Sequence, residues 1–282
     1  KARKTKWASA LAMSQEEVRK AVLQRTRQVN KAIQKRERGK VRAVIAGDLP
    51  TYLKMDFVST WLEAALRHHP HTTLFYSAGQ TLDMWVRMGV SAKKGKYPKM
   101  PIDQSRFDHV VSRTMIMICL DEITAFIRRR ATADTAELEH VMGLIKYALD
   151  GGVVQVGKLS VRVEKGVMSG WRWTALLDTL INAGELLAFA EHIRHESGVW
   201  PLREYVCQGD DVQCEVQNWA CAVMLWKEYE LAGFDVNPTK FFVELNSDEF
   251  LRKVAYEGVV AGYPARTVGA IVWRNPISRD AE

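Results

Sequence analysis

The apolar positions of the chain change period several times, and each change predicts an element. Ser14-Gln-Glu-Glu17 has the spacing of a capping box, and Val18, Ala21, Val22, Val29, Ala32 and Ile33 follow at near-helical intervals, which predicts a helix over 15–34. A basic loop, Lys35-Arg-Glu-Arg-Gly-Lys40, then runs into a strand, Val41-Arg-Ala-Val-Ile45, and Pro50 opens a helix that the pattern carries to His68. Lys93-Lys-Gly-Lys-Tyr-Pro98 opposes both helix and central strand and reads as a linker at a subdomain boundary. Beyond it the pattern predicts a short strand over 99–103, helices over 109–130 and 135–149, and a hairpin of 153–156 and 159–163 about Gly157-Lys158. A long helix over 171–193 follows. The strand 205–208 then enters Gly209-Asp-Asp211, whose residue types suit a hairpin turn. A helix over 217–232 and strands over 241–245 and 250–260 complete the order, which predicts an α+β fold on a mainly antiparallel sheet.

Composition narrows the class. A hydrophobic content of 47% is ample for a core and excludes a disordered chain. Forty Lys and Arg against 33 Asp and Glu leave a net charge of +7, which favours a polyanionic partner. Cys119, Cys207, Cys214 and Cys221 form no CxxC pair, so reduced core thiols are expected. No apolar run approaches the roughly 18 residues of a membrane span, and the basic start lacks a signal-peptide apolar stretch, so no membrane partner is expected. The chain starts at Lys1 and no closing domain follows Arg274-Asn-Pro276, so an excerpt of a longer chain is expected.

The chemistry concentrates in Gly209-Asp210-Asp211. Adjacent carboxylates at a strand tip repel each other unless a cation lies between them and a third carboxylate, and Asp103, ending another predicted strand, is the natural third. Such hard oxygen ligands select Mg²⁺ or Mn²⁺ over zinc, and two such ions about 3.5–4 Å apart serve in-line phosphoryl transfer. Alone, Gly-Asp-Asp reads first as an ordinary solvated turn. His68-His-Pro-His71 reads as a solvent-facing helix end, and Trp171 and Trp173 as packing residues.

Four motifs in one order change the weighing: Asp103-Gln-Ser-Arg-Phe-Asp108, Ser169-Gly-Trp-Arg-Trp-Thr174, Gly209-Asp-Asp211 and Asn237-Pro-Thr-Lys240. Together they resemble the palm of viral RNA-dependent RNA polymerases, and Ser-Gly-Trp-Arg in its context is most similar to those of totivirus-like double-stranded RNA viruses. The resemblance covers roughly residues 35–275. It implies a right-hand polymerase, with a fingers portion in 1–98 and an antiparallel palm sheet flanked by helices in 99–282. Asp103 and Asp210 would hold two Mg²⁺ or Mn²⁺ ions, with Asp211 assisting. Asp108 matches the aspartate that senses the incoming ribose 2′-hydroxyl. Ser169 and Gly170 match the template-binding loop, where glycine allows close backbone approach to nucleic acid.

Thr174, Asp178 and Asn182 follow at i, i+4 and i+8 on one helix stripe. The family carries Asn four residues after the threonine; here that position is Asp178, which leaves the partner of Asp108 open between Asp178 and Asn182. Lys40 and Arg42 match the basic fingers motif that cradles the triphosphate, and Lys240 matches the lysine that acts as general acid to pyrophosphate. The implied activity is template-directed transfer from NTPs to an RNA 3′-hydroxyl, for viral genome replication and transcription. Its implied partners are RNA template and product and NTPs, with a viral capsid protein as a further candidate, in the virion interior and host cytoplasm. A reverse transcriptase-like polymerase is the alternative that Asp108 opposes. A catalytically silent RNA-binding, capsid-associated protein is the one that the intact aspartates oppose.

Overall fold

The computed structural model describes residues 6–37, 40–104, 107–234 and 242–263. Two short helices, α1 (Lys6–Leu11) and α2 (Gln15–Leu23), precede β1 (Val29–Glu37), β2 (Lys40–Ala46) and α3 (Leu49–Leu66). Next come α4 (Ala78–Lys94), β3 (Lys99–Asp103), α5 (Phe107–Val110), α6 (Arg113–Arg130) and α7 (Ala136–Asp150). The hairpin β4 (Val153–Val156) and β5 (Leu159–Arg162) leads to α8 (Thr174–Ser197), then β6 (Leu202–Gln208), β7 (Asp211–Val216) and α9 (Trp219–Leu231). A meander of β8 (Ser247–Phe250), β9 (Lys253–Tyr256) and β10 (Val259–Gly262) ends the described chain.

Several expectations need correction. Ser14 and Glu17 do form the reciprocal capping box, but α2 ends at Leu23, and the apolar residues assigned to its continuation lie in β1. Strand pairing overrides the helical spacing: β1 runs antiparallel to β2 and parallel to β4, and buried Asn30 donates to the Val153 carbonyl. The basic segment is therefore a hairpin and not a loop before a strand, with Glu37 opposite Lys40 and Lys35 opposite Arg42. The helix expected over 109–130 is broken at Val111, which is fully buried, and restarts behind Ser112, whose hydroxyl caps the Met115 amide. The strand expected over 241–245 reduces to an isolated bridge between Glu244 and Lys99 among the described residues. That over 250–260 is split by left-handed residues at Leu251, Arg252 and Glu257.

Lys93 and Lys94 close α4 and are not linker, because lysines in a last helical turn complement the carbonyl end of the helix. Gly95, at φ 56°, then provides the left-handed cap. At the other end of α4, Ser77 accepts from the Gln80 amide while the Gln80 side chain accepts from the Ser77 amide. Ser77→Ala should cost about 1 kcal/mol by removing one half of this box, read as a lowered unfolding midpoint, whereas Ser77→Asp should restore most of it.

The chain divides into two compact units, each assembled from separate stretches on both sides of residue 98. The first takes the described residues within 1–65 and 108–177, and holds the sheet β2-β1-β4-β5 with α3, α6 and α7. The second takes 66–107 and 178–274 and contains two three-stranded sheets, β3-β7-β6 and β10-β9-β8. In the second unit, alternation along β3 and β7 sends Met100, Ile102, Val212, Cys214 and Val216 into a core with Leu186, Ala190 and Leu225 of α8 and α9. Met84, Met88 and Ala92 of α4 pack separately on Phe250 and Ala255 of the meander.

Candidate active site

The alternation that buries one face of β3 and β7 decides which side chains the other face offers. β3 and β7 are antiparallel, with Asp103 opposite Asp211, Pro101 opposite Gln213 and Lys99 opposite Glu215. Lower on this face the positions are closed. Lys99 is fully buried and donates to the Tyr97 and Leu245 carbonyls, Ser91 of α4 donates to Glu215, and Gln213 donates to buried Asp248 of β8. Burial pushes the Asp248 carboxyl up to about 8. At the open end of the strands Asp103 and Asp211 stay half-exposed, and Asp210 is exposed.

Gly209 and Asp210 form a two-residue connection between the paired residues Gln208 and Asp211. Gly209 takes φ 63°, which a side chain would strain, and Asp211 already belongs to β7. Register-paired like charges destabilise a sheet unless something compensates them. Asp103, Asp210 and Asp211 supply only hard oxygen donors, a set that fits a divalent cation such as Mg²⁺. Among the described residues no three His, Cys, Asp or Glu side chains converge as a preformed metal cluster.

Beneath the turn lies a polar layer of which sequence reasoning named only Asn182. Gln104 follows Asp103 and points the opposite way, so it enters the core side. Its Nε2 donates to Asn182 Oδ1 at 3.1 Å and to Glu185 Oε2 at 3.3 Å. Asn182, fully buried on α8, donates through Nδ2 to the Gly209 carbonyl at 3.1 Å, and the Gly209 amide donates to Thr179 Oγ1 at 2.8 Å. Both polar groups of the turn glycine are therefore held by α8. Burial pushes the Glu185 carboxyl up to about 7, against the opposing effect of the Gln104 hydrogen bond. The available signal was polarity out of place: Gln104 continues the inward series Met100, Ile102, and Asn182 and Glu185 interrupt an apolar helix.

Of the proposed stripe on α8, Asp178 is buried and Thr174 half-buried, with the Thr174 hydroxyl donating to the Met168 and Trp171 carbonyls. Asn182 is occupied inside the protein by Gln104 and Gly209, which makes it a support of the turn.

In the first unit the Ser169-Gly-Trp-Arg-Trp-Thr174 segment is stapled to its surroundings. Trp171 Nε1 donates to Asn30 Oδ1 and Trp173 Nε1 to Ser59 Oγ, each at 2.8 Å, which makes both tryptophans packing residues. Arg172 bridges Asp56 and Glu63 of α3, again at 2.8 Å each. The Gly170 amide donates to the Ile45 carbonyl, and Lys6 Nζ donates to the Gly170 carbonyl. A Cβ on Gly170 would meet the Ile45 carbonyl oxygen and lie 2.7 Å from Ala46 Cα. The close approach that this glycine permits is thus to the backbone of β2. Ser169 is exposed beside it.

Lys40 and Arg42 occupy β2, and Asp108 lies in α5, but their side chains lie outside what the structure describes, as does Lys240 altogether. His68 and His69 are exposed as expected, while the half-buried His71 ring stacks on Tyr205 at 4.0 Å between centroids.

A family model described as viral RNA-directed RNA polymerase matches residues 5–273. The chain is 31% identical over 285 residues to a probable RNA-directed RNA polymerase of Giardia lamblia virus (isolate Wang), an alignment covering 95% of this chain and 14% of that relative. Its fold is similar to the crystal structure of the RNA-dependent RNA polymerase of a human picorbirnavirus, with a TM-score of 0.65 at 17% identity over 86% of this chain and 47% of that one. An insertion-loop deletion mutant of that polymerase gives 0.62 at 16% identity, over 82% and 44% of the two chains. The chain thus spans 14% of its curated relative's length and less than half of these solved polymerases. The α+β architecture is that of the polymerase palm with part of the fingers, and with a family match over nearly its whole length the chain belongs to the viral RNA-directed RNA polymerases.

Proposed function

We propose that the chain carries the catalytic centre for template-directed RNA synthesis, in which an RNA 3′-hydroxyl attacks the α-phosphorus of an NTP and pyrophosphate departs. The observation that carries this reading is the register pair Asp103–Asp211 at the one open end of a sheet face, with Asp210 in the adjoining turn. Asp103 and Asp210, assisted by Asp211, would hold Mg²⁺ or Mn²⁺, which would stabilise charge on the attacking and leaving oxygens. The protein's own part is positional: the strand register fixes Asp103 against Asp211, and α8 holds the turn that carries Asp210.

Lys40 and Arg42 of the basic hairpin, within the proposed fingers portion, would bind the triphosphate, and Lys240 would protonate the departing pyrophosphate. Ser169 would meet template or nucleotide at the exposed loop. RNA template and product are the proposed partners, together with a capsid protein in the virion interior. The test is incorporation of labelled NTP on an RNA template by the complete protein, with and without Mg²⁺ or Mn²⁺; no metal-dependent incorporation would overturn the reading.

Ribose selection gives a finer test. Asp178 stands where the family has Asn, so Asp178→Asn should be tolerated. Asp178→Ala should narrow the preference for NTP over dNTP by about twofold to tenfold, the worth of one hydrogen bond. The ratio of catalytic efficiencies for an NTP and its dNTP decides it, and an unchanged ratio in the Ala variant would leave discrimination to Asp108 with another partner.

A further inference from the structure

The polar layer under the turn contains two atoms whose needs match. Gln104 Nε2 donates to Glu185 Oε2, yet the other oxygens of the same two groups, Gln104 Oε1 and Glu185 Oε1, are buried and have no hydrogen-bond partner among the described residues. Both are acceptors if Glu185 is ionised. A proton on Glu185 Oε1 supplies the missing donor, and the carboxylic acid and primary amide then close a ring of two hydrogen bonds, N–H to oxygen and O–H to oxygen.

We propose that Gln104 and Glu185 form a proton-bearing acid–amide pair which, through Asn182, positions the Gly209-Asp-Asp211 turn against Asp103. The inference rests on the polymerase reading of that turn. The chain of contacts is continuous: Glu185 holds Gln104, Gln104 holds Asn182, Asn182 holds the Gly209 carbonyl, and Gln104 is covalently next to Asp103. Glu185 is nine-tenths buried and Gln104 and Asn182 more so, which leaves solvent little part in satisfying them.

The environment of Glu185 keeps the proton. Burial pushes its carboxyl up to about 7. The titratable group facing it from α9 is Tyr229, fully buried and held neutral by the same desolvation. The Cys207 and Cys214 thiols behind Tyr229, on β6 and β7, are also held neutral by burial. No ion pair to Glu185 is present among the described residues. Gln104, Asn182 and Glu185 are in this scheme positioning residues, since each acts on the aspartates through the backbone and none meets the reacting atoms.

The experiment uses the complete protein as wild type, Glu185→Gln and Glu185→Ala, with two readouts against pH. Gln at 185 can close an amide–amide ring with Gln104 at any pH. Wild type loses the ring as pH rises through about 7. The kcat ratio of the Gln variant to wild type should therefore rise about twofold to tenfold between pH 6 and 8.5, with KM for NTP little changed, as expected for loss of one hydrogen bond. The Ala variant should stay low throughout.

The second readout is thermal unfolding. The native carboxyl keeps its proton up to about 7, while the unfolded one releases it near 4.5, so wild-type stability falls across that window and the Gln variant should gain on it. An active enzyme with a flat kcat ratio overturns the positioning role. A wild type with no incorporation sinks the polymerase reading and this role with it, and a melting difference that also ignores pH overturns the acid–amide pair itself.

Discussion

Asp210→Asn should lower nucleotide incorporation by about three orders of magnitude or more while leaving the thermal midpoint unchanged. The substitution keeps the size and planarity of the side chain and removes only its charge. Asp210 is exposed in a turn, so no core contact is lost, and the hydrogen bonds of Gly209 to Thr179 and Asn182 involve backbone atoms that the change leaves in place. A bound divalent ion contributes several kcal/mol to charge stabilisation in phosphoryl transfer, and each 1.4 kcal/mol is a factor of ten in rate. The measurement is steady-state incorporation on an RNA template in Mg²⁺ and in Mn²⁺, beside a melting curve and an RNA-binding isotherm. Turnover near wild type would remove Asp210 from the proposed metal site. No incorporation by the wild type itself, with RNA binding retained, would favour the catalytically silent RNA-binding protein.

Gly170→Ala should produce the largest loss of stability among single-methyl changes in the first unit. The added Cβ would press on the Ile45 carbonyl and lie 2.7 Å from Ala46 Cα, both backbone atoms of β2 that no rotamer change can move. Retreat of the loop is opposed on the other side, because Trp171 is tied to Asn30, Arg172 to Asp56 and Glu63, and Trp173 to Ser59. Overpacking of this kind costs about 1–3 kcal/mol, which for a chain of this size lowers the melting midpoint by several degrees. Ser169→Ala, at an exposed neighbour, should leave the midpoint alone and lower incorporation if the loop meets nucleotide. If Gly170→Ala melts as wild type does, the glycine is needed elsewhere than against β2.

Sequence by itself determined what depends on short separations. The capping box at Ser14, the hairpin about Gly157-Lys158 and the strand ends bearing Asp103 and Asp211 are set by residues a few positions apart, and all three are present. The same kind of signal, Ser77-Ala-Gly-Gln80, begins α4, a helix that hydrophobic periodicity alone did not announce. Local pattern also named the carboxylates, as adjacent charges at a strand tip with Asp103 ending another strand, and the antiparallel register of β3 and β7 then set Asp103 opposite Asp211.

Only the tertiary structure decided the rest, because its partners are far apart in the chain. Residues 29–34 carry a helical spacing, yet pairing with β2 and with β4, more than a hundred residues on, satisfies their backbone as strand. Gly170 was expected as a glycine for nucleic acid to approach; folding also sets the position of its missing Cβ against the backbone of β2. Asn182 was expected on a nucleotide-facing stripe; contacts across 27 and 78 residues also tie its side chain to the Gly209 carbonyl and to Gln104. A buried amide must find donors and acceptors wherever folding brings them, and that requirement is invisible until the strands and α8 are packed.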